Sequence, residues 1–140
     1  MKKIFFVFAA LLLIISCSKK DFKFEAFSAE AFTFDLGDGT AEVNSTVRVK
    51  GFTQIEKDDN YYANVAFEVD LLKPDSTITK SVFKFVKNEE KAEPINDIAL
   101  EAQFALDSSY QSGTYTLVYR IMDKNSDNSL ETNVSFDLQW

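Results

Sequence analysis

The sequence predicts an all-β fold, an antiparallel sandwich of about seven strands preceded by a signal peptide. After Asp21, apolar residues recur at every second position, which is typical of strands with one buried and one solvated face. Clusters of Gly, Pro, Asn, Asp and Ser interrupt this alternation at short intervals, as turns between strands do. No segment keeps the period of about 3.6 residues that an amphipathic helix requires. At 140 residues the chain has the length of one ordinary domain.

The N-terminal segment has the three-part organisation of a secretion signal. Lys2 and Lys3 come first, an apolar run over residues 4–15 follows, and the small residue Ser16 ends it. Twelve residues rise about 18 Å as a helix, which is too short for a hydrocarbon core of about 30 Å. The sequence therefore predicts a signal peptide over residues 1–16 rather than a permanent transmembrane helix.

The single cysteine of the chain, Cys17, follows this run directly. The stretch Ile14-Ile15-Ser16-Cys17 resembles the lipobox of bacterial lipoprotein precursors, in which a branched apolar residue and then a small residue precede a cysteine. The resemblance implies cleavage before Cys17 and a diacylglyceryl group on its sulfur, so that acyl chains such as palmitate anchor the protein in a membrane. More than one chain is needed, because a single acyl chain holds a protein only marginally. The alternative is a free cysteine at the end of an ordinary signal peptide.

Residues 17–21 are predicted to form the lipidated cysteine and a short tether, and residues 22–140 the domain. The four residues after the cysteine reach at most about 14 Å, so the domain would lie close to the bilayer. Removal of residues 1–16, with their two lysines, would change the formal charge from −7 to −9. Ser18 after the cysteine, rather than aspartate, resembles the pattern of lipoproteins sent to the outer membrane of the bacterial cell envelope. The sequence leaves open which side of that membrane the protein faces.

Two segments show the strand alternation most clearly. Their apolar residues fall on one face while polar residues or alanine stand between them. A slip of one residue would move a whole apolar set into solvent, so the register is strongly specified. The residues predicted to face inward are Ile98, Leu100, Ala102, Phe104 and Leu106 in the first segment, and Leu130, Val134, Phe136, Leu138 and Trp140 in the second.

The remaining strands alternate less regularly. They are predicted over residues 22–35, 43–54, 61–72, 78–87 and 114–122. In the turn LGDGT, Gly37 and Gly39 are expected to adopt positive φ, although FDLGDGT is also similar to the signature of polycystic-kidney-disease-type sandwich domains. The charged segment KNEEKAEPIND, residues 87–97, is predicted to be a solvated loop or one helical turn.

The stretch SGTYTLVYRIMDKNSDNSLETNVSFDL resembles the closing hairpin of immunoglobulin-like sandwich domains. In such domains a tyrosine after a turn hydrogen-bonds back across the corner, two residues before a core position. Tyr115 and Leu117 have this spacing. Because the chain lacks the disulfide cysteines of antibody domains, the resemblance implies a core built on Phe67, Phe104, Leu117 and Phe136. It implies a fold rather than a function.

The turn DKNSDNS invites a metal-binding interpretation. Asp123, Asn125 and Asp127 are spaced like the first ligands of a calcium loop. The positions of the loop glycine and of its final glutamate hold asparagine and valine, however, which removes the sharp turn and the bidentate ligand. The sequence therefore predicts a hairpin turn here and no metal site.

The charge and residue content of the chain argue against some classes of function. A net charge of −7 without basic clusters argues against a nucleic-acid partner. The chain has no histidine and its cysteine is assigned to lipid, so we predict no catalytic or cofactor residues and no enzyme activity. The predicted function is a non-catalytic cell-envelope lipoprotein whose sandwich docks onto another envelope protein through its edge strands. The alternative is a surface-displayed module that binds a glycan or another ligand, for which Tyr61 or Tyr62 would supply an exposed ring.

Overall fold

Two antiparallel sheets packed face to face make up the described part of the chain, residues 22–140 of a computed structural model. This confirms the predicted all-β sandwich. The signal peptide, the lipidated Cys17 and the tether that the sequence predicts lie outside the described residues. Residues 22–140 contain no helix that is long and apolar enough to cross a membrane. The strands are β1 Glu25–Asp35, β2 Thr40–Lys50, β3 Ile55–Lys57, β4 Asn60–Leu72, β5 Ile78–Lys91, β6 Asp97–Asp107, β7 Gly113–Asp123 and β8 Ser129–Leu138.

The strand order is that of an immunoglobulin-like sandwich. One sheet has the order β1-β2-β6, and the other has the order β5-β4-β7-β8. The short strand β3 pairs with the start of β4. In constant-type immunoglobulin domains the fourth strand pairs with the fifth; here the fourth long strand, β5, pairs with the third, β4. Three long strands therefore face four.

The hydrophobic core follows the alternation of the sequence. In β2, every second residue from Ala41 to Val49 is buried, and the register Val47↔Leu100 aligns this face with the apolar face of β6. At the centre, the ring of Phe67 stacks on Tyr119 with 5.8 Å between centroids. Phe67, Leu117 and Phe136 are buried as predicted, whereas Phe104 is only partly buried.

The predicted tyrosine contact is confirmed. The Tyr115 hydroxyl donates a hydrogen bond of 2.8 Å to the Gln111 carbonyl, and its ring stacks on Phe136 at 5.5 Å. The prediction for Trp140 is wrong, because this residue is 45% exposed. Strand β8 ends at Leu138, and the Trp140 indole nitrogen instead donates to the Tyr110 carbonyl at 2.6 Å.

The charged segment 87–97 is not the predicted loop over its first half. Strand β5 continues to Lys91, because cross-strand pairing with β4 extends to Tyr62↔Glu90 and Tyr61↔Lys91. The side chains of Asn60 and Tyr62 also hydrogen-bond to Glu90 at 2.8 and 3.0 Å. A loop begins only after Lys91. Pairing with a long neighbouring strand thus overrides the weak strand propensity of a charged sequence.

Glycine is required at two of the chain reversals. In the LGDGT turn, Gly37 and Gly39 have φ of 77° and 82°, as predicted, and the Asp35 carboxylate accepts the Gly37 N–H at 2.7 Å. Gly51, after β2, has φ of 74°, and a Cβ atom at this position would lie 2.1 Å from the Lys23 carbonyl oxygen. The chain before β1 therefore passes directly against Gly51.

Candidate functional site: the open side between β5 and β6

The inner face of β5 is partly uncovered, because the opposite sheet is one strand narrower. Phe85 lies opposite the buried Phe67 in the pairing of β5 with β4, so its side chain points to the interior of the sandwich. It is nevertheless 54% exposed. Phe83 lies on the same face, is partly buried, and stacks on Phe67 at 5.8 Å.

A groove of about 610 Å³ lies between β5 and β6 and continues over the outer face of the smaller sheet. Its apolar walls are phenylalanine rings, and its polar groups are amides, hydroxyls and two charged side chains. This combination of aromatic surface with a few polar groups is common in binding grooves. Its lining residues are Phe32, Asn44, Ser45, Thr46, Phe83, Phe85, Lys87, Glu101, Ala102 and Gln103.

Strand β6 forms one rim of the groove, and part of β5 lies alongside it. Among residues 22–140 it pairs with β2 alone, in continuous register over all its residues from Asp97 to Asp107, so its other edge has no strand partner. The edges formed by the other long strands are protected. Strand β1 has a register shift after Phe27, and β5 has one beside Asp70. Strand β8 has β1 alongside it, and the Thr33 hydroxyl donates a hydrogen bond to the Asp137 carbonyl at 3.1 Å. Bulges and cover of this kind prevent strand pairing.

A second, smaller hollow of about 330 Å³ lies on the outer face of the larger sheet. It contains the ring of Tyr62, the side chains of Asn88 and Asn125, and the Glu90 carboxylate. The side-chain amide oxygen of Asn64, Oδ1, is buried there without a hydrogen-bond partner among residues 22–140. Of the two predicted tyrosines, Tyr62 lies at this hollow and Tyr61 packs against the core. Both are about half-buried, so neither is the freely exposed ring that the sequence suggested.

A charge cluster occupies the outer face of the same sheet and was not predicted. The buried Asp70 carboxylate accepts hydrogen bonds from the Lys80 ammonium at 2.8 Å, from the Ser81 N–H at 2.9 Å and from the Arg120 guanidinium. Arg120 also pairs with Glu68 at 3.2 Å. Burial by itself raises the pKa of Asp70, but the hydrogen bonds from Arg120, Lys80 and Ser81 outweigh burial and hold the pKa well below its ordinary value. Asp70 is therefore charged at neutral pH, and its contacts give it a structural role.

The predicted hairpin turn after β7 is confirmed, and it is organised by a buried aspartate. The Asp123 carboxylate accepts the Thr53 and Asn125 N–H groups at 2.7 and 3.0 Å, and the Ser126 hydroxyl at 2.7 Å. The Asn125 side-chain amide donates to the Thr53 carbonyl at 3.0 Å, and Asp127 is exposed. The two aspartates are thus not brought together as ligands, and the Asp123 oxygens are engaged by protein donors.

The end of the sandwich where the described chain begins carries a third hollow, of about 680 Å³. Phe22 is 77% exposed there and lies near Lys23 and the buried side chains of Phe52 and Ile95. This end is the one nearest in sequence to Cys17. Phe22, the first described residue, therefore lies at one pole of the sandwich, away from the middle of the β5–β6 groove.

Sequence reasoning missed Phe83, Phe85 and Asp70. The alternation of residues 82–86, VFKFV, shows that two phenylalanines share a face, but it does not show that this face has no strand opposite it. For Asp70 a signal was present, since one acid interrupts the apolar run VDLL in a predicted strand. A charge at such a position predicts a buried partner.

Comparisons with known proteins give only distant likenesses. No protein-family model matches the chain, and no curated protein matches it. A family 123 glycoside hydrolase from Clostridium perfringens shares 12% identity at a TM-score of 0.48 over 70% of this chain, which spans 21% of that enzyme. The putative ApaA protein from Bordetella pertussis shares 11% identity at a TM-score of 0.40, covering 82% of this chain and 93% of that one. The N-terminal domain of PorA shares 14% identity at a TM-score of 0.39, covering 76% and 83%. Identities and TM-scores this low assign no activity to this chain.

Proposed function

We propose that the protein is a non-catalytic lipoprotein of the bacterial outer membrane whose sandwich binds another envelope protein through its open β5–β6 side. The lipid anchor is inferred from the lipobox-like stretch Ile14-Ile15-Ser16-Cys17 that follows an apolar run. The observation that carries the interaction is Phe85, which points inward and is nevertheless 54% exposed beside an unprotected edge strand. Exposed apolar surface next to an open edge is typical of protein-binding sites.

The geometry of the tether suits this function. Four residues link Cys17 to Phe22, and they reach at most about 14 Å. The pole that carries Phe22 and Lys23 would face the bilayer, where Lys23 would contribute on the order of 1 kcal/mol beside anionic lipid. The groove lies on a side of the sandwich, so it would stay accessible to a partner in or near the same membrane.

A non-catalytic role is favoured by the state of the charged groups. The Asp70 and Asp123 carboxylates are saturated by hydrogen bonds from the protein, and the sequence contains no histidine to serve as a base. Exposed Asp and Glu side chains elsewhere are sufficient to keep an acidic protein soluble.

The anchor is tested by intact mass spectrometry and by labelling of growing cells with an alkyne analogue of palmitate. The Cys17→Ser variant should lose the label and the acyl mass and should no longer fractionate with membranes, while Ser18→Ala should keep both. An unmodified Cys17 thiol in the wild-type protein would contradict the anchor.

The interaction is tested by photo-cross-linking in living cells. A photoreactive phenylalanine analogue at position 85 should join the protein to one partner at fixed stoichiometry, and the same analogue at position 55 should not. Ile55 is a matched control, because it is 51% exposed but lies on β3, on the side of β4 away from β5 and the groove. Equal cross-linking from both positions would argue against a specific interface.

The second candidate function is glycan binding at the hollow beside Tyr62. An aromatic ring with three asparagine side chains and a carboxylate around it is a suitable set of groups for stacking on a sugar and hydrogen-bonding its hydroxyls. A glycan-binding screen with wild-type protein and the Tyr62→Ala variant, together with protease treatment of intact cells, tests it. Absence of any glycan signal and protection from the protease would remove this candidate.

A further inference from the structure

We propose that the partner binds by adding one extended strand to β6, so that the strand covers Phe85; this inference rests on the proposed interaction function. The sheet that contains β6 has three long strands and the opposite sheet has four, so the uncovered part of the larger sheet is one strand wide. In constant-type immunoglobulin domains the fourth strand lies beside the fifth. In this chain β5 pairs with β4 on the opposite sheet, so no strand among residues 22–140 pairs with the free edge of β6, although part of β5 lies alongside it.

The backbone of β6 identifies the occupant as a strand. In an antiparallel pair, every second residue directs its N–H and C=O away from the partner strand. Because β6 pairs only with β2, without a bulge, residues 98–106 present a regular row of such groups at one edge. An extended strand of another chain matches donors and acceptors at this spacing, and it displaces the water that otherwise binds them. A strand of about nine residues matches the length of this row.

The side chains beside the edge specify the sequence pattern of that strand. Its inward residues would meet Phe83 and Phe85 in the groove, which favours apolar side chains. Its outward residues would lie next to Glu101 and Gln103, which are exposed. Glu101 has no salt-bridge partner among residues 22–140, so a Lys or Arg opposite it is favoured. The net charge of −7 adds a long-range attraction for a basic segment.

The test uses the full-length protein in detergent micelles and three synthetic nine-residue peptides with blocked ends. The first alternates valine and lysine beginning with valine, the second alternates valine and glutamate in the same order, and the third is the first peptide with proline in place of its central valine. Binding is measured by fluorescence anisotropy. Amide hydrogen–deuterium exchange then locates the bound peptide.

The lysine peptide should slow exchange of the edge amides in residues 98–106 at least tenfold, and the proline peptide should not. Phe85→Glu should weaken binding at least tenfold, whereas Ile55→Glu, which adds the same charge at a similar exposure, should change it less than twofold. Glu101→Lys, on the exposed face of β6, should reverse the preference between the lysine and glutamate peptides without affecting the core.

Three results would overturn strand addition: unchanged exchange in β6, equal binding to the Phe85→Glu and Ile55→Glu variants, or equal binding of the proline peptide. Equal binding of the proline peptide would mean that charge attraction alone accounts for the binding. Acylation of Cys17 is measured separately by mass. A lipidated protein that does not bind the peptides therefore overturns strand addition alone, and an unlipidated protein that binds them overturns the anchor alone.

Discussion

The hydroxyl groups of Ser45 and Tyr119 lie 2.5 Å apart in the core, where one hydrogen bond joins the two sheets. Ser45 is on β2 and Tyr119 is on β7, and both are buried. Burial raises the pKa of the Tyr119 hydroxyl, since the ionised form would be desolvated. The pair is a polar contact in an otherwise apolar core, so its members depend on each other.

A double-mutant cycle should show this dependence. Ser45→Ala and Tyr119→Phe should each lower the free energy of unfolding by about 1 to 2 kcal/mol, because each leaves one buried hydroxyl without a partner. The double variant should cost at least 0.5 kcal/mol less than the sum of the two, on the order expected for contacting residues. Urea unfolding provides the measurement. The same cycle on the exposed pair Thr116 and Ser135, at 2.9 Å, should be additive; additivity in the core as well would disprove the coupling.

The charge of Asp70 should stabilise the fold in a pH-dependent manner. Because folding lowers the pKa of Asp70, the folded state binds fewer protons, so stability rises with pH in the acidic range. The contribution should be complete above the unfolded-state value of about 3.9 and should decline as the pH falls below it. Asp70→Asn should cost about 2 to 4 kcal/mol at pH 7 and should flatten this dependence.

Urea unfolding between pH 3 and pH 7 checks this prediction. Asp58→Asn is the control for loss of one surface charge, since the side chain of Asp58 is 80% exposed and asparagine tolerates its φ of 51°. An Asp70→Asn variant whose stability depends on acid as strongly as that of the wild type would contradict a role for this carboxylate.

The close approach of Lys23 to Gly51 should make this glycine irreplaceable. Gly51→Ala should lower stability by about 2 to 4 kcal/mol, because it combines a positive φ with a collision against backbone. Gly37→Ala has nearly the same φ but no atom within 4 Å of the new Cβ, and it should cost about 1 kcal/mol. Equal losses in the two variants, measured by urea unfolding, would mean that the segment before β1 moves aside freely.

The Asp123 turn should depend on one of its two aspartates. Asp123→Ala removes the acceptor of three hydrogen bonds in a buried position, and a loss of about 2 to 4 kcal/mol is expected. Asp127→Ala, in the same turn but exposed, should change stability by about 0.5 kcal/mol or less. Thermal unfolding with and without added calcium completes the test, and a rise in Tm with calcium that Asp123→Ala abolishes would restore the metal interpretation.

Much of the sandwich was predictable, because a strand with one buried face has apolar residues at every second position. Leu100 and Phe136 are buried where the alternation places them, and Tyr115 makes the hydrogen bond that its spacing implies. The failures occurred where local pattern and tertiary contact disagree. Lys91 ends a strand that a charged sequence does not suggest, and Trp140 continues an alternation beyond the last strand.

The sequence by itself determined the class of fold and the faces of most strands, because both depend on residues that are close along the chain. The proposed anchor at Cys17 likewise rests on a local stretch of sequence. Only the tertiary structure decided that β5 joins β4, that β6 keeps an open edge, and that Phe85 points inward without cover. These properties depend on which strands lie side by side. That choice is made by long-range packing of the whole core, so neither the period nor the composition of any single strand contains it.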